Sequence, residues 1–497
     1  MKIFSADQIK AWDQFTIREE SIPSIELMER ACRAFTHWFF ERYDAAHKVG
    51  VICGTGNNGG DGLGIARLLH DWGYAVKVWI VNGGVKESAD YKINRKRLPE
   101  AVSVIEIKDS MSPELFSDRT ILIDALFGSG LTRPLEGIYS HVIEQVNQSK
   151  AIRLAVDVPS GIFVDRHSEG TRIRAHQTVT FQCPKLAFMQ PENYPYVGEW
   201  HVIDIGLSKK FLKETEVAYS IVDLKSVKKL IKPRNKFDHK GTYGHALLIA
   251  GSTGKMGACV LAARAAMRSG VGLVTAHVPQ SGYPIIQVAV PEVMATQDTS
   301  DHYFTEREVE SFFSAIGIGP GLGQQEETGL ALQKFLQQVQ VPLVLDADAL
   351  NLLASDSRLI DQVPPGSILT PHPGEFKRLV GSWTHDFEKL EKLKKFSSQT
   401  QSIVVLKGAY TAIASPDGEI TFNATGNPGM ATGGSGDVLT GLLTGLLAQG
   451  YSSLHAAVLG VYLHGLAGDL AAHEKGLNSL IAGDIVDFLP AAFRKIE

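Results

Sequence analysis

The chain has 497 residues, of which 44% are hydrophobic and 21% are charged, and its formal net charge is −5. This length is too great for one ordinary hydrophobic core and predicts two or three globular domains. The small net charge excludes a general nucleic-acid binder, which would need a strongly basic face.

The same sequence favours a reducing compartment and gives no sign of a membrane. The four cysteines are scattered and form no CxxC pair, so neither a zinc site nor a disulfide framework is predicted. The first 14 residues have no apolar signal region, and no uninterrupted apolar run reaches the ~18 residues that a membrane span needs. We therefore expect a cytoplasmic protein with no membrane contact.

Residues 5–44 predict helices. Ser5 and Gln8 have the spacing of a capping box, and apolar residues then recur at helical intervals. The aromatic cluster at 37–40, His-Trp-Phe-Phe, is typical of a core or of a subunit contact. Because aromatic patches of this kind usually meet a partner, we expect a homo-oligomer.

Residues 49–84 predict a βαβ unit with a glycine-rich turn after its first strand. Gly54, Gly56 and Gly59 match the dinucleotide pattern G-x-G-x-x-G. Two features argue against an ordinary hydride-transfer site. The turn carries polar and acidic residues at 57, 58 and 61, and the second strand ends in Asn-Gly-Gly instead of the acidic residue that binds a ribose.

Two further buried-type strands, at 120–123 and 151–156, each end in an aspartate. The carboxyl ends of parallel strands meet at one edge of a sheet, where ligands bind. Each aspartate could instead cap a loop or a helix, but the pattern repeats on successive strands. We expect one shared site formed by the polar residues Asn58, Asp61, Asp124, Asp157 and Ser160.

The donor types in this set favour a hard cation. Several side-chain oxygens without His or Cys suit a weakly bound alkali or alkaline-earth ion better than a transition metal. A carboxylate left over is then available for acid–base chemistry. Further along, Lys185 is the one charged residue in an apolar stretch. We expect its stem to pack and its ammonium group to reach solvent.

A domain boundary is predicted near 215–225, where the charged segment LSKKFLKETE loses apolar periodicity. From about residue 225, strands and helices alternate over some 270 residues, which predicts a second α/β domain. A glycine turn at 252–257 has no P-loop spacing, since Lys255 is followed by Met256 instead of Ser or Thr.

Two residues at strand ends of this second domain are candidates for ligand contacts. His372 stands between two prolines and so is excluded from a regular helix or central strand. Lys407 precedes a glycine after an apolar strand and could contact a phosphate. The alternatives are a structural histidine and a surface lysine at a hairpin.

The stretch 427–443, NPGMATGGSGDVLTGLL, predicts a glycine-rich start to an apolar helix. Glycines admit close backbone approach, and a helix N-terminus attracts anions, phosphate above all. Asp437 at that start indicates a proton acceptor aimed at the group on which phosphate chemistry acts. The alternative is an acidic residue that only complements the helix dipole.

The motifs GTGNNGGDG, DALFGSGL and AVDVPSGI together resemble the N-terminal domain of the bifunctional NAD(P)H-hydrate repair enzymes, over about residues 1–210. The resemblance implies epimerisation of the R and S hydrates of NADH and NADPH, with K⁺ held by Asn58, Asp124 and Ser160. It implies Asp157 as the acid–base residue. The implied hydrate contacts are Asn57, Asn58, Gly59, Gly60, Asp61, Gly128, Ser129, Gly130, Leu131, Thr132, Arg133, Pro134 and Asp157.

The ending TGGSGD, with its strand and Lys-Gly segment, resembles the ribokinase superfamily. The fuller set, HKGTYG, GSTGKMGA, GPGLG, DADALN, TPHPGEF, VVLKGAYT and NPGMATGGSGDVLTG, resembles the ADP- or ATP-dependent dehydratase domain of the same repair enzymes, over about residues 225–495. The implied reaction phosphorylates the hydroxyl of the hydrate, with Mg²⁺ as cofactor, so that phosphate leaves and the nicotinamide is restored.

That resemblance also implies residue roles. Asp437 would deprotonate the hydroxyl, and backbone N–H groups near Gly436 would stabilise the transferring phosphoryl group. The implied hydrate contacts are Ala258, Gly321, His372 and Asp437. The implied nucleotide contacts are Lys407, Gly408, Ala409, Tyr410, Thr411 and Gly436.

The predicted fold is therefore α/β in two domains: a Rossmann-like parallel α/β sandwich over residues 1–215 and a ribokinase-like α/β domain over residues 225–497. The sequence leaves the choice between ADP and ATP open. Two other functions also stay open. One is a ribokinase-type small-molecule kinase fused to a nucleotide-binding domain, and the other is a non-catalytic nucleotide sensor.

Overall fold

The structure is a computed structural model that describes residues 1–84, 86–108, 116–308 and 310–497. The chain divides into two compact units. The N-terminal unit comprises Lys2–Val217 and His385–Phe387. The C-terminal unit comprises Met1, Ala218–Thr384 and Glu388–Glu497.

The N-terminal unit alternates strands with helices. Its strands are β1 Lys2–Ile3, β2 Lys48–Cys53, β3 Ala75–Val81, β4 Ser103–Ile107, β5 Ile121–Ala125, β6 Ile152–Val156, β7 Gln177–Phe181 and β8 Glu199–Ile203. Its helices are α1 Ala6–Glu20, α2 Ser24–Phe40, α3 Asn57–Asp71, α4 Ala89–Arg97, α5 Ile138–Gln148, α6 Tyr194–Val197 and α7 Lys209–Glu214.

The sheet of this unit is parallel, with the strand order β4-β3-β2-β5-β6-β7-β8. From β2 the chain proceeds outward through β3 and β4, and it then crosses back to β5 on the other side. Between β2 and β5 the order therefore reverses, which is the point where open α/β sheets bind ligands. The predicted Rossmann-like parallel α/β fold is confirmed.

Local sequence explains the entry into two of these helices. The predicted capping box is confirmed, since Gln8 N donates to Ser5 Oγ over 3.2 Å and Ser5 N donates to Gln8 Oε1 over 3.0 Å. The predicted glycine loop at 57–61 is wrong in part, because α3 already begins at Asn57. Glycine lets α3 lie close to the end of β2: a Cβ on Gly59 would be 1.8 Å from Gly54 O.

The C-terminal unit is also α/β. Its strands are β9 Tyr219–Ile221, β10 His245–Ile249, β11 Leu273–Val278, β12 Met294–Gln297, β13 Ala315–Ile318, β14 Leu343–Leu345, β15 Ile368–Leu369, β16 Ile403–Leu406, β17 Thr411–Ala414 and β18 Ile420–Asn423. Its helices are α8 Leu224–Lys228, α9 Met256–Arg268, α10 Tyr283–Ala289, α11 Glu326–Gln338, α12 Ala347–Ser355, α13 Pro373–Val380, α14 Asp386–Thr400, α15 Ser435–Ala448, α16 Ser453–Lys475 and α17 Ala482–Ile496.

The strands of this unit follow the order β9-β18-β17-β16-β15-β14-β13-β10-β11-β12. Strands β10 to β16 pair in parallel, and β16, β17 and β18 form antiparallel hairpins. The order reverses between β10 and β13. The apolar helix α15 packs tightly on α9, since a Cβ on Gly441 would lie 1.9 Å from Ala262 O. This packing places the start of α15 at the carboxyl edge of the sheet.

Helix α16 is the one helix in the described ranges that is long and apolar enough to cross a membrane. Of its most apolar window, 61% is buried inside the protein. A mostly buried core helix passes the same test of length and composition, so α16 is weak evidence for a membrane span.

Candidate active sites

Asp157 is the first residue after β6 and lies at the carboxyl edge of the N-terminal sheet. Its backbone adopts φ 63°, in the left-handed region that L-residues other than Asn, Asp and Gly seldom enter. Aspartate tolerates this region better than most residues do, and non-glycine residues held in it cluster at functional sites. Asp157 Oδ1 accepts hydrogen bonds from Thr180 Oγ1 over 3.1 Å and from Phe181 N over 3.2 Å.

Lys185 is the ionic partner of Asp157, so the expectation that its ammonium group reaches solvent is wrong. Its side chain is 1% exposed, and Nζ lies 2.9 Å from Asp157 Oδ1. Nζ also donates to Phe181 O over 3.0 Å and to Cys183 O over 3.1 Å. Three acceptors therefore hold the charge in the interior, where an unpaired lysine would destabilise the fold strongly.

The two charges of this pair stabilise each other. Burial alone raises the pKa of Asp157, but the Lys185 charge and the hydrogen bonds from Lys185, Phe181 and Thr180 outweigh it and lower the pKa below its ordinary value. Burial alone lowers the pKa of Lys185, and Asp157 raises it above its ordinary value. Asp157 is therefore an anion at neutral pH, which is the protonation state that a proton acceptor needs.

The pKa values of two other carboxyl groups near Asp157 are raised, whereas that of Asp157 is lowered. Burial, reinforced by the negative charge of Asp157, raises the pKa of Asp61 well above its ordinary value. Burial and Asp157 together raise the pKa of Asp13 to about 7, against an opposing effect of Lys185. Asp61 was among the predicted site residues. Asp13 and Lys185 were not, and their signal was a charged residue inside an apolar pattern.

A cluster of polar side chains lies at the switch point between β2 and β5. It consists of Asp124, Ser160 and Asn58. Ser160 donates to Asp124 from Oγ over 2.7 Å and from N over 2.8 Å, and Phe127 N donates to Ser160 Oγ over 2.9 Å. A Cβ on Gly128 would lie 3.0 Å from Asn58 Oδ1.

Two features of this cluster suit a monovalent cation. The side-chain nitrogen of Asn58 is buried without a hydrogen-bond partner among the described residues. The oxygen and nitrogen of an amide are interchangeable in assignment, so a half-turn would put an oxygen there. Burial also raises the pKa of Asp124 to about 6, although hydrogen bonds from Ser160 and Leu126 oppose it, and a bound cation would remove that cost.

The predicted substrate segment 128–134 is a loop that follows β5 at the same edge of the sheet. Leu131 N donates to Gly128 O over 3.3 Å, and Arg166 donates from its guanidinium to Thr132 O. The loop is part-exposed around Ser129 and exposed at Gly130 and at Thr132, Arg133 and Pro134. It is therefore accessible to a ligand at this edge of the sheet.

In the C-terminal unit, α15 begins directly after Gly434, which adopts φ 92°. Glycine meets that conformation without the steric cost of a Cβ. His464 of α16 contacts the Ser435 carbonyl oxygen through Nε2 at 2.9 Å. Burial lowers the pKa of His464 to about 4, so the ring is neutral at pH 7 and must donate from Nε2 to that carbonyl.

Lys407 and Asp346 form an ion pair beside the first turn of α15. Lys407 Nζ lies 2.8 Å from Asp346 Oδ1 and 3.9 Å from Glu375 Oε2. Thr440 Oγ1 donates to Asp346 Oδ2 over 2.7 Å. A Cβ on Gly436 would lie 3.4 Å from Lys407 Nζ, so the absence of a side chain there keeps the lysine accessible from the helix start.

Asp437 is a half-buried carboxyl at this helix start. Burial raises its pKa to about 6, the Asp346 and Asp348 carboxylates act in the same direction, and Lys407 opposes them. A base with a pKa near 6 is largely ionised at pH 7 yet still basic enough to take a proton in a transition state. The raised pKa is opposite in direction to the lowering that a helix N-terminus alone gives a carboxyl group, so the helix dipole does not account for it.

Ala258 and Gly321, two predicted hydrate contacts, are neighbours across α9 and the turn after β13. A Cβ on Gly321 would lie 3.1 Å from Ala258 Cβ. Ser252 Oγ donates to Gly321 O over 2.7 Å. Asp348 accepts from Gly323 N over 2.9 Å and pairs with Lys255 over 3.3 Å. The glycine turn at 252–257 thus lies beside the GPGLG segment at 319–323.

His372 caps α13. Its Nδ1 accepts from Gly374 N over 3.0 Å and from Glu375 N over 3.2 Å, and Glu375 Oε2 accepts from His372 N over 2.8 Å. The other ring nitrogen, Nε2, lies 3.4 Å from Glu375 Oε1, on a side chain that is 51% exposed. Both ring nitrogens therefore contact the first turn of α13, which supports the structural role, and the exposed half of the ring stays accessible to a ligand.

The predicted nucleotide segment 408–411 is the turn between β16 and β17. Gly408 N donates to Thr411 Oγ1 over 3.3 Å, and Thr411 Oγ1 donates to Gly408 O over 3.0 Å. Gly408 and Ala409 are exposed, and Tyr410 is half-buried. Lys407 N donates to Pro371 O over 2.9 Å, which ties this turn to the segment that carries His372.

Comparison with known families matches both units. Residues 246–491 match the family described as NAD(P)H-hydrate dehydratase, and residues 24–187 match the family described as YjeF-related protein N-terminus. Together these matches account for most of the chain.

Whole-chain relatives carry both families in one polypeptide. The bifunctional NAD(P)H-hydrate repair enzyme Nnr of Moorella thermoacetica is 37% identical, over 100% of this chain and 97% of that protein. The enzyme of the same name from Escherichia coli is 32% identical, over 98% of this chain and 93% of that protein.

Solved structures match the C-terminal unit. A Bacillus subtilis ADP/ATP-dependent NAD(P)H-hydrate dehydratase, co-crystallised with ATP/Mg²⁺, is 36% identical with a TM-score of 0.50, over 56% of this chain and 99% of that one. A ribokinase-like superfamily protein of Enterococcus faecalis is 27% identical with a TM-score of 0.50, over 57% of this chain and 98% of that one. The predicted ribokinase-like fold is confirmed.

Proposed function

The chain belongs to the bifunctional NAD(P)H-hydrate repair enzymes, and from that membership we propose that it restores hydrated NADH and NADPH. One activity epimerises the R and S hydrates. The other dehydrates the S hydrate with ADP or ATP, releasing AMP or ADP and phosphate. The observation that carries the proposal is that one chain matches both families and that each unit holds a carboxyl group, Asp157 or Asp437, at the carboxyl edge of its own sheet.

We assign dehydration to residues 225–497. Hydroxide is a poor leaving group, so the hydroxyl of the hydrate is first phosphorylated. Asp437 takes the hydroxyl proton as the oxygen attacks the terminal phosphoryl group, and its pKa of about 6 suits that task. N–H groups at the start of α15, including that of Gly436, and the ammonium group of Lys407 stabilise the negative charge of the transferring group.

The nucleotide would lie along Lys407, Gly408, Ala409, Tyr410 and Thr411. The turn after β16 begins at Lys407, whose ion pair with Asp346 lies beside the start of α15, and it continues into the exposed Gly408 and Ala409. This course supports the assignment. The hydrate would lie against Ala258, Gly321 and His372, with its hydroxyl at Asp437. Mg²⁺ would neutralise the phosphates, by analogy with the B. subtilis dehydratase co-crystallised with ATP/Mg²⁺.

We assign epimerisation to residues 1–215. Opening and reclosing the hydrated ring inverts its hydroxyl-bearing carbon by moving protons, without a redox cofactor. Asp157, held as an anion by Lys185, is the proton acceptor. The hydrate would contact the first turns of α3, from Asn57 through Gly59 and Gly60 to Asp61, and the loop at 128–134.

K⁺ would be held by Asp124, Ser160 and Asn58. Two features support a cation at this point: the buried nitrogen position of the Asn58 amide has no partner among the described residues and would carry the oxygen after a half-turn, and the pKa of Asp124 is raised. Among the described residues, no cluster of three or more His, Cys, Asp or Glu side chains could hold a metal ion. The donor set is therefore one carboxylate with neutral oxygens, which suits a weakly bound cation, and the bound ion would supply positive charge near the substrate.

The remaining assignments concern the protein in the cell. We propose a cytoplasmic homo-oligomer that acts on NAD(P)H hydrates and adenine nucleotides and binds no nucleic acid. The free, buried state of the cysteines supports a reducing compartment. Phe40 and Trp72, which are 57% and 43% exposed and meet edge to face, support a subunit contact in the N-terminal unit.

Chiral chromatography of hydrated NADH during turnover tests the two assignments separately. Asp157→Asn should leave dehydration of the S hydrate intact and reduce conversion of R to S to the spontaneous rate. Asp437→Asn should leave epimerisation intact and abolish dehydration. A small-molecule kinase would instead accumulate a stable phosphorylated product and consume no hydrate.

A further inference from the structure

The two carboxylate oxygens of Asp157 have different surroundings. Thr180 Oγ1 donates to Oδ1 over 3.1 Å, Phe181 N donates to it over 3.2 Å, and Lys185 Nζ lies 2.9 Å from it. Within the described ranges of the chain no donor bonds to Oδ2, and Oδ2 is not among the buried side-chain atoms that lack a partner. Oδ2 is therefore open to solvent, although only 11% of the side chain is exposed.

The main chain of Asp157 is held as closely as its Oδ1 atom. Asp157 N donates to Val179 O of β7 over 2.8 Å. Val158 N donates to Val156 O over 2.8 Å, which closes a three-residue turn with Asp157 and its φ of 63° at the centre. Turns of this size with a positive central φ are rare and strained. Because the main chain and Oδ1 are both tied to β7, the carboxylate cannot rotate without breaking these bonds, and Oδ2 keeps its direction.

The lone pairs of the two oxygens are used differently. Each oxygen of an ionised carboxylate offers about two acceptor positions. Two hydrogen bonds and the Lys185 ammonium group already surround Oδ1, so a proton would reach Oδ1 only by displacing a donor. Oδ2 keeps its lone pairs free for an incoming hydroxyl group. The turn that Asp157 opens leads to Ser160, which bonds to Asp124 over 2.7 Å at the switch point where open α/β sheets bind ligands.

Thr180 is the side chain of β7 that contributes to this arrangement. Successive side chains of a strand point to opposite faces, so Thr178 and Thr180 share one face of β7. Both are fully buried. Thr178 Oγ1 donates to Val197 O over 2.7 Å, whereas Thr180 Oγ1 donates to Asp157. A side chain buried this completely does not touch a substrate, so the Thr180 hydroxyl group acts on a reaction only through Asp157.

We propose that Thr180 is a positioning residue of the epimerase site, which fixes Oδ1 of Asp157 so that Oδ2 is the oxygen that accepts the proton of the hydrate. The proposal rests on the epimerase activity proposed above and deepens it. The step is a proton transfer: the O–H bond of the hydrate breaks, its electron pair stays on the hydroxyl oxygen, and an O–H bond forms at Oδ2. The proton returns from Oδ2 to that oxygen when the ring has closed again.

Thr180→Val tests the proposal, because valine keeps the shape of threonine and its fit to a strand but has no hydroxyl group. In full-length protein, kcat for R-to-S conversion should fall by about tenfold or more, as expected for a lost hydrogen bond to a charged group. KM should stay unchanged, since Thr180 does not touch the hydrate. Thr180→Ala removes the same hydroxyl group and should show the same split between kcat and KM. Thr180→Ser keeps the hydroxyl group and should recover most of kcat.

Thr178→Val is the matched control on the same face of the same strand. It also loses one buried hydrogen bond, so its Tm should fall as that of Thr180→Val does, but its kcat should stay near the wild-type value. A wild-type kcat in Thr180→Val, equal losses of kcat in the two valine variants, or a serine variant as slow as the valine variant would overturn the proposal. If wild-type protein itself fails to interconvert R and S, the epimerase assignment fails instead.

Discussion

Replacing Lys185 with methionine leaves Asp157 as a buried charge without its partner. Methionine keeps most of the length and apolar stem of lysine, so packing changes little. The side chains of the pair are 1% and 11% exposed, so water screens the charges weakly. Breaking one side of a buried ion pair costs about 3–5 kcal/mol, which for a unit of this size lowers Tm by roughly 6–20 °C.

The double variant isolates the unpaired charge from other effects. In Lys185→Met with Asp157→Asn neither charge remains, and removing both partners of a buried pair is often close to neutral. We expect the double variant to recover most of the stability that Lys185→Met loses. Urea unfolding followed by tryptophan fluorescence suits the assay, because five of the six tryptophans lie in the N-terminal unit.

The pH dependence of this loss has a definite sign. The folded-state pKa of Asp157 is lowered, so its pairing stabilises the fold above the ordinary value of 3.8 and is lost as pH falls through the folded value. The pKa of Lys185 is raised, so its share is present below 10.5 and is lost as pH rises beyond it. The deficit of Lys185→Met should be largest between about pH 5 and 9. A deficit independent of pH, or additive losses in the double variant, would refute the reasoning.

Three further predictions concern the dehydratase site and the cation. Asp437→Asn should lower kcat for the S hydrate by about 10²–10⁴-fold. The wild-type rate should rise with pH through about 6 as Asp437 loses its proton. A wild-type rate that is flat between pH 5 and 7 would contradict the role of Asp437 as the base. Gly436→Ala adds a methyl group 3.4 Å from the Lys407 ammonium and should raise KM for the nucleotide. Gly433→Ala is the control and should leave KM unchanged, because a Cβ there would have nothing within 4 Å. Equal KM values in the two variants would refute a phosphate site between Gly436 and Lys407. Replacing K⁺ with choline should slow epimerisation in a chiral assay, and an unchanged rate would argue against the cation site.

The strand-end aspartates show what the sequence reveals. Asp124 and Asp157 could be placed at one edge because buried parallel strands are recognisable and their carboxyl ends converge. The positions of Asp346 and Lys407 after β14 and β16 follow the same rule. Their ion pair does not, because a contact between residues 61 apart depends on how the strands are ordered in the sheet.

Lys185 and Asp13 show where sequence-based prediction failed. A lysine in an apolar stretch usually keeps its charged group in water. Nothing local in the sequence shows that the Lys185 ammonium group instead contacts Asp157 and two backbone carbonyl oxygens in the interior. Asp13 stands in a helix whose cap is evident from Ser5, but the side of that helix that packs on the core is decided by tertiary structure.

The predicted loop at the start of α3 was wrong for a different reason. Glycine and asparagine have low helix propensity, so the run at 57–60 favours a loop when taken alone. Close contact with the end of β2 overrides that preference, since a side chain at Gly59 would overlap Gly54 O. Tertiary packing here requires the residues that local propensity disfavours.

Recovery of reduced-nicotinamide absorbance from a racemic mixture of hydrated NADH tests the central claim most directly. The full-length protein, with K⁺, Mg²⁺ and either ADP or ATP, should return the absorbance of both epimers at an enzymatic rate. Without a nucleotide, the R and S hydrates should interconvert but no absorbance should return. If neither ADP nor ATP restores absorbance from either epimer, the assignment of this chain as an NAD(P)H-hydrate repair enzyme is contradicted.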